Sequence, residues 1–66
     1  MTIFLNGEKF VFDDGKTIEE LIREHRLAPE TTLVELNGTA LRRREWTSHP
    51  LHEGDRVEIL RVAAGG

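Results

Sequence analysis

Thr2-Ile3-Phe4-Leu5-Asn6-Gly7-Glu8-Lys9-Phe10-Val11-Phe12 is the stretch on which the fold turns. Ile3 and Leu5 alternate with Thr2, Phe4 and Asn6, and period-two alternation marks a half-buried strand. Asn6-Gly7 is the strongest short hairpin signal, because a type I′ turn needs positive φ at both central residues. Lys9 to Phe12 then reads as the return strand, with Phe10 and Phe12 sharing a face. Asp13-Asp14-Gly15 ends it as a turn.

Outward from this hairpin, Thr17-Ile18-Glu19-Glu20 opens a helix. Thr17 can accept from the backbone amide at the third helical position while Glu20 reaches back to the Thr17 amide, the reciprocal pair of a capping box. Ile18, Leu21 and Ile22 fall at i, i+3 and i+4 and form an apolar stripe. Glu19 and Arg23 are spaced for an i,i+4 ion pair. Arg23, His25 and Arg26 sit near the negative end of the helix dipole, and Pro29 is expected to stop the helix. Leu33 to Asn37 reads as a third strand with Val34 and Leu36 inward. Asn37-Gly38 is a second hairpin signal, leading to a short strand around Ala40-Leu41. Arg44 to His49 looks irregular, with room for one 3₁₀ turn and Trp46 as an apolar anchor. After the Glu53-Gly54-Asp55 turn, Arg56 to Val62 is the last strand, with Val57 and Ile59 on one face and Leu60 and Val62 on the other.

The element order is strand, strand, helix, strand, short strand, strand. Helix and sheet each have a single apolar face, so the helix must cover one face of the sheet. This predicts an α+β domain with a mixed four- to five-stranded sheet and one main helix. The first and last strands, both apolar, are expected side by side at its centre. By analogy of fold, that is a β-grasp, the ubiquitin-like architecture. The expected division is a β-grasp domain over 1–62 and a flexible tail over 63–66.

Sixty-six residues make one small domain, which buries only roughly 60 % of its unfolded surface, so a walled-off active-site cavity is not expected. The chain has no cysteine, which leaves no disulfide framework, thiolate metal site or thiol nucleophile. No basic and apolar leader precedes the first strand, and no apolar run approaches the roughly 20 residues of a membrane span. A cytoplasmic protein is expected. The net charge of −3 argues against generic nucleic-acid binding.

The candidate reactive group is at the end of the chain, in Ala63-Ala64-Gly65-Gly66. Two glycines add nothing to a core, but they form a narrow tip whose backbone angles are closed to other residues. A carboxylate presented on such a tip can be an enzyme's substrate, once ATP has converted it to an acyl-adenylate open to a sulfur or nitrogen nucleophile. The chain has no Gly-x-x-x-x-Gly-Lys-Ser/Thr phosphate loop, so a partner must supply the ATP site. An inert, frayed terminus is the plain alternative.

Other groupings read more simply as structure. His25, His49 and His52 lack a cysteine to complete a zinc set, so no metal site is expected. Arg42-Arg43-Arg44 has no interleaved aromatics and reads as a solvated turn or a protein-docking patch. Asp13-Asp14 and Glu19-Glu20 suit turn and helix-start chemistry, and no catalytic residue is assigned. Phe4, Leu60 and Val62 would lie on the sheet face away from the helix, where clustered apolar side chains mark a partner-docking patch.

Over essentially its whole length the chain resembles the ThiS family of sulfur carrier proteins. The likeness rests on Asn6-Gly7-Glu8, on Asp14-Gly15 followed by Thr17-Ile18-Glu19-Glu20-Leu21-Ile22, and on Val34-Glu35-Leu36-Asn37-Gly38. It extends to Arg43 and Trp46 at the spacing of the family's Pro-Arg-x-x-Trp segment, to Glu53-Gly54-Asp55-Arg56-Val57-Glu58-Ile59, and to Gly65-Gly66. Arg42 stands where the family often has proline. The resemblance implies a carrier that binds no cofactor itself. A ThiF-type adenylyltransferase, with Mg-ATP, would adenylate the Gly66 carboxylate. Sulfur from a cysteine desulfurase relay would convert it to a thiocarboxylate, and a ThiG-type thiazole synthase would use that sulfur for the thiazole of thiamin. The small subunit of molybdopterin synthase, another sulfur carrier, a ubiquitin-like protein modifier and a plain interaction module stay open as alternatives.

Overall fold

Both Asn-Gly pairs adopt the backbone that their turn type requires: φ is 49° and 83° at Asn6 and Gly7, and 51° and 85° at Asn37 and Gly38. The protein is described here by a computed structural model covering residues 1–62. The first turn joins β1 (Thr2–Leu5) to β2 (Glu8–Val11), and the second joins β3 (Thr32–Leu36) to β4 (Thr39–Leu41). Between the hairpins run α1 (Ile18–Glu24) and a 3₁₀ turn (Pro29–Thr31). A longer 3₁₀ segment (Arg43–Ser48) precedes β5 (Arg56–Arg61). The five strands form one sheet in the order β2-β1-β5-β3-β4. β1 and β5 are parallel and every other pair is antiparallel, so the expected central pairing of first and last strands holds.

The core lies between the sheet and α1. Ile3, Leu5, Val34, Val57 and Ile59 come from the sheet, and Ile18, Leu21 and Ile22 from the helix stripe. Trp46 and Leu51 complete the same core from the stretch between β4 and β5. Leu51 is held there although its segment is irregular: its amide donates to the Lys16 carbonyl at 2.7 Å, beside an isolated bridge between Thr17 and Pro50. Burying one such side chain is worth about 1.5–3 kcal/mol.

The helix starts as its sequence dictates. The Glu20 amide donates to Thr17 Oγ1 at 3.2 Å, and the Thr17 amide donates to Glu20 Oε1 at 3.0 Å. It ends earlier than a Pro29 stop implies. Arg26 takes a left-handed φ of 55°, which lets the Arg26 amide donate to Arg23 (3.0 Å) and the Leu27 amide to Ile22 (3.1 Å). This is a Schellman ending with arginine in place of the usual glycine. Pro29 instead opens the following 3₁₀ turn. Phe10 and Phe12 do share a face, stacked at 6.0 Å, with the His25 ring edge-on to both.

Candidate functional site

β5 is the element that leads into the candidate tail, and the two turn asparagines hold it on both sides. Asn6 Oδ1 accepts from the Ile59 amide at 2.7 Å, while its Nδ2 donates to the Ile59 carbonyl at 3.2 Å. Asn37 Oδ1 accepts from the Arg56 amide at 2.9 Å, and its Nδ2 donates to Asp55 Oδ1 at 3.0 Å. Each carboxamide thus continues strand pairing past the end of its own hairpin strand. At its far end β5 is held once more, where the Val62 amide donates to the Thr31 carbonyl at 2.7 Å. Ala63, Ala64, Gly65 and Gly66, the candidate tail and attachment residues, lie outside the described residues.

The sheet face away from α1 carries the candidate docking residues, though not as one patch. Leu60 is 60 % exposed and Val62 50 %, while Phe4 is half-buried. In the parallel β1–β5 register Phe4 stands beside Arg56. Leu60 is four residues further along β5, about 13 Å at strand rise. Arg56 and Glu58 occupy the same face of β5 up to Leu60, so the register does not join Phe4 to it. What the register does bring to Leu60 is Leu33, its direct partner on β3, which is 57 % exposed. Ala40 and the edge of Leu41 line the shallow depression beside this pair. Leu33 was not among the sequence candidates. Its alternation with Val34 puts it on the outer face, but only the antiparallel register of β3 against β5 sets it opposite Leu60.

The remaining sequence candidates are dispersed. His25 packs on the two phenylalanines, His49 lies 4.0 Å from Glu45, and His52 lies 3.9 Å from Asp55. Among the described residues no three His, Asp or Glu side chains group as a metal site. Arg43 and Arg44 sit in the 3₁₀ segment, with Arg42 as the residue that leads into it. Arg42 has φ −78° and ψ 151°, a backbone open to proline, but its amide donates to Glu45 Oε1 at 2.8 Å. Arginine therefore keeps a hydrogen bond that proline could not make. Glu20 stands at the start of α1. The hydrogen bond from the Thr17 amide, then that from the Thr17 hydroxyl, holds its carboxyl below the usual value. Among the described residues no helix is long and apolar enough to cross a membrane.

Known proteins are similar to this chain in sequence and in fold. A thiazole synthase of Magnetococcus marinus is 35 % identical over 66 residues, all of this chain; the chain spans only 20 % of that protein. A sulfur carrier protein ThiS of Thermus thermophilus is 34 % identical over 64 residues, 97 % of this chain and 98 % of that one. The crystal structure of a thiamine biosynthesis protein (ThiS) from Geobacter metallireducens matches with a TM-score of 0.84 at 32 % identity, covering 100 % of both chains. The model of the ThiS family matches residues 2–66, and with this fold and these relatives the chain belongs to the ThiS family.

Proposed function

We propose that this protein is a sulfur carrier for thiamin biosynthesis whose working group is the Gly66 carboxylate. The observation that carries the reading is the family match, which extends through Gly66 itself. In this scheme an E1-like, ThiF-type enzyme uses Mg-ATP to form the Gly66 acyl-adenylate, releasing pyrophosphate. A persulfide fed by a cysteine desulfurase relay then attacks through its outer sulfur and displaces AMP, and a second thiol cleaves the resulting acyl disulfide, ending as a disulfide itself and releasing the carrier as a thiocarboxylate. The acceptor enzyme is a thiazole synthase, a reading supported by the relative of that name in which a stretch resembling this chain occurs. The chain itself performs no catalysis. Its part is to hold β5 rigid with the two asparagine clamps, offer Leu33, Leu60 and Val62 to a partner, and present the carboxylate.

The test is intact-mass analysis after incubation with the activating enzyme, Mg-ATP and a sulfur source. Exchange of one carboxylate oxygen for sulfur should raise the mass by about 16 Da through the covalent adenylate route. Deleting Gly66 should abolish the gain and leave the amide spectrum of residues 1–62 intact, since terminal residues make few core contacts. An unchanged mass beside a partner shown to be active on another carrier would overturn the proposal. Gly66 found joined to lysine side chains in the cell would favour a protein modifier instead.

A further inference from the structure

On the helix side of the molecule, away from the Leu33–Leu60 face, a groove of about 410 Å³ runs between α1 and the 3₁₀ segment. Ile22, Leu27 and Trp46 supply its apolar lining, and Arg23, Arg43 and Arg44 its charge. The chain as a whole carries −3, so three guanidinium groups around one apolar groove are a local reversal of sign. Two of the arginines have only loose internal partners: exposed Arg23 lies 3.4 Å from half-buried Glu19, and Arg43 lies 4.0 Å from Glu30, both exposed. Exposed pairs of that kind contribute little and exchange readily for another carboxylate.

Trp46 belongs both to the core and to the wall of this groove. The residue is 3 % exposed, and its indole Nε1 is buried with no hydrogen-bond acceptor among the described residues. Buried indole N–H groups usually find a partner, and one left without is destabilising by about 1–3 kcal/mol. Here the orphan donor belongs to a residue that lines a groove ringed by arginines. The donor itself is closed to solvent, so an occupant reaches it only by parting the lining around Trp46.

We propose that this groove is a docking site for an acidic peptide segment of a protein partner, with one aliphatic side chain seated against Ile22, Leu27 and Trp46 and its carboxylates on the arginines. Charge complementarity argues for carboxylates, and the apolar lining argues for a peptide over a nucleotide. Glu19 lines the same groove, leaving three arginines against one carboxylate, and it can accept from a peptide amide. Because the groove and the Leu33–Leu60 pair lie on opposite sides of the sheet, an occupant of one leaves the other free.

The chain has a single tryptophan, so its indole signal is assigned without ambiguity. The full-length, nitrogen-15-labelled protein is titrated with an acetylated, amidated peptide of alternating glutamate and leucine, and in parallel with its lysine–leucine counterpart. The acidic peptide should shift the Trp46 indole resonance and the amides of residues 22–27 and 43–47, with half-saturation at or below about 1 mM. The Arg43→Glu, Arg44→Glu double variant should weaken this about tenfold or more, and added salt should weaken it as well. The Arg43→Lys, Arg44→Lys variant, which keeps the charge, serves if the reversal unfolds the domain and should retain part of the response. No shift at saturating peptide, or an equal shift from the lysine peptide, would overturn the proposal. So would an indole that responds to ATP but not to the peptide, or one that moves with protein concentration alone.

Discussion

Glu20 accepts from both the amide and the hydroxyl of Thr17, at 3.0 and 3.1 Å, at the start of the only α-helix among the described residues. Both bonds favour the ionised carboxylate, the amide bond most, and lower its pKa from an ordinary 4.5. The sign follows directly. A depressed folded-state pKa contributes stability that is fully present above the unfolded value and is lost as pH falls through the folded one. Chemical denaturation of wild type and Glu20→Gln should therefore diverge at neutral pH and converge as pH drops below about 4.5. Thr17→Ala should lower stability by about 1 kcal/mol at neutral pH through loss of the cap. A constant gap between wild type and Glu20→Gln from pH 7 to pH 3 would mean that the carboxylate's charge plays no part.

Among the elements, α1 is the one with an unused reserve. Arg26 holds φ at 55° to close the Schellman turn, a conformation that costs a residue with a Cβ about 1–2 kcal/mol. Arg26→Gly removes that strain but adds freedom to the unfolded chain. A net gain of about 0.5–1 kcal/mol is expected, read as a thermal midpoint higher by about 2–8 °C for a domain of this size. A lower midpoint would show that the Arg26 side chain contributes more than its backbone strain removes. The same turn brings Leu27 back beside Ile22, so the helix ending also builds the groove. β5 shows the opposite case, an element with little slack: it is hydrogen-bonded on both sides, clamped by Asn6 and Asn37, and supplies Val57 and Ile59 to the core.

At the scale of the whole molecule, one layer of core separates two different surfaces. Stability resides in the layer, where ten apolar side chains among the described residues are buried, while the total for a chain this long is only roughly 3–10 kcal/mol. The outer face of the sheet can therefore be changed without unfolding the domain. Leu60→Glu or Leu33→Glu should leave stability within about 0.5 kcal/mol of wild type, yet reduce affinity for the proposed activating enzyme about tenfold or more if the pair is a docking centre. Phe4→Glu should have the smaller effect on docking, being set beside Arg56 and half-buried. Calorimetric binding and thermal melts on the same samples separate the two quantities. Equal loss of both for Leu60→Glu would mean that Leu60 belongs to the core.

Much of this architecture is legible in the chain because its signals are local. Asn6-Gly7 and Asn37-Gly38 demand their turns by backbone sterics, Thr17 and Glu20 cap each other three residues apart, and period-two alternation sorts Val57 and Ile59 from Leu60. The family motifs likewise run in order to Gly65-Gly66. What the chain alone does not reveal is non-local. That Asn6 and Asn37 use their side chains to clamp β5 depends on strands 53 and 19 positions apart in sequence. That Leu60 faces Leu33 and stands clear of Phe4 depends on the registers of two different strand pairs. The helix ending at Glu24 depends on a left-handed arginine that propensity disfavours, and nothing in the sequence says that the Trp46 indole has no acceptor among the described residues. Turns, caps and face periodicity are set within a few residues and so belong to the sequence; register and burial are settled only when distant segments share one core, and these belong to the tertiary structure.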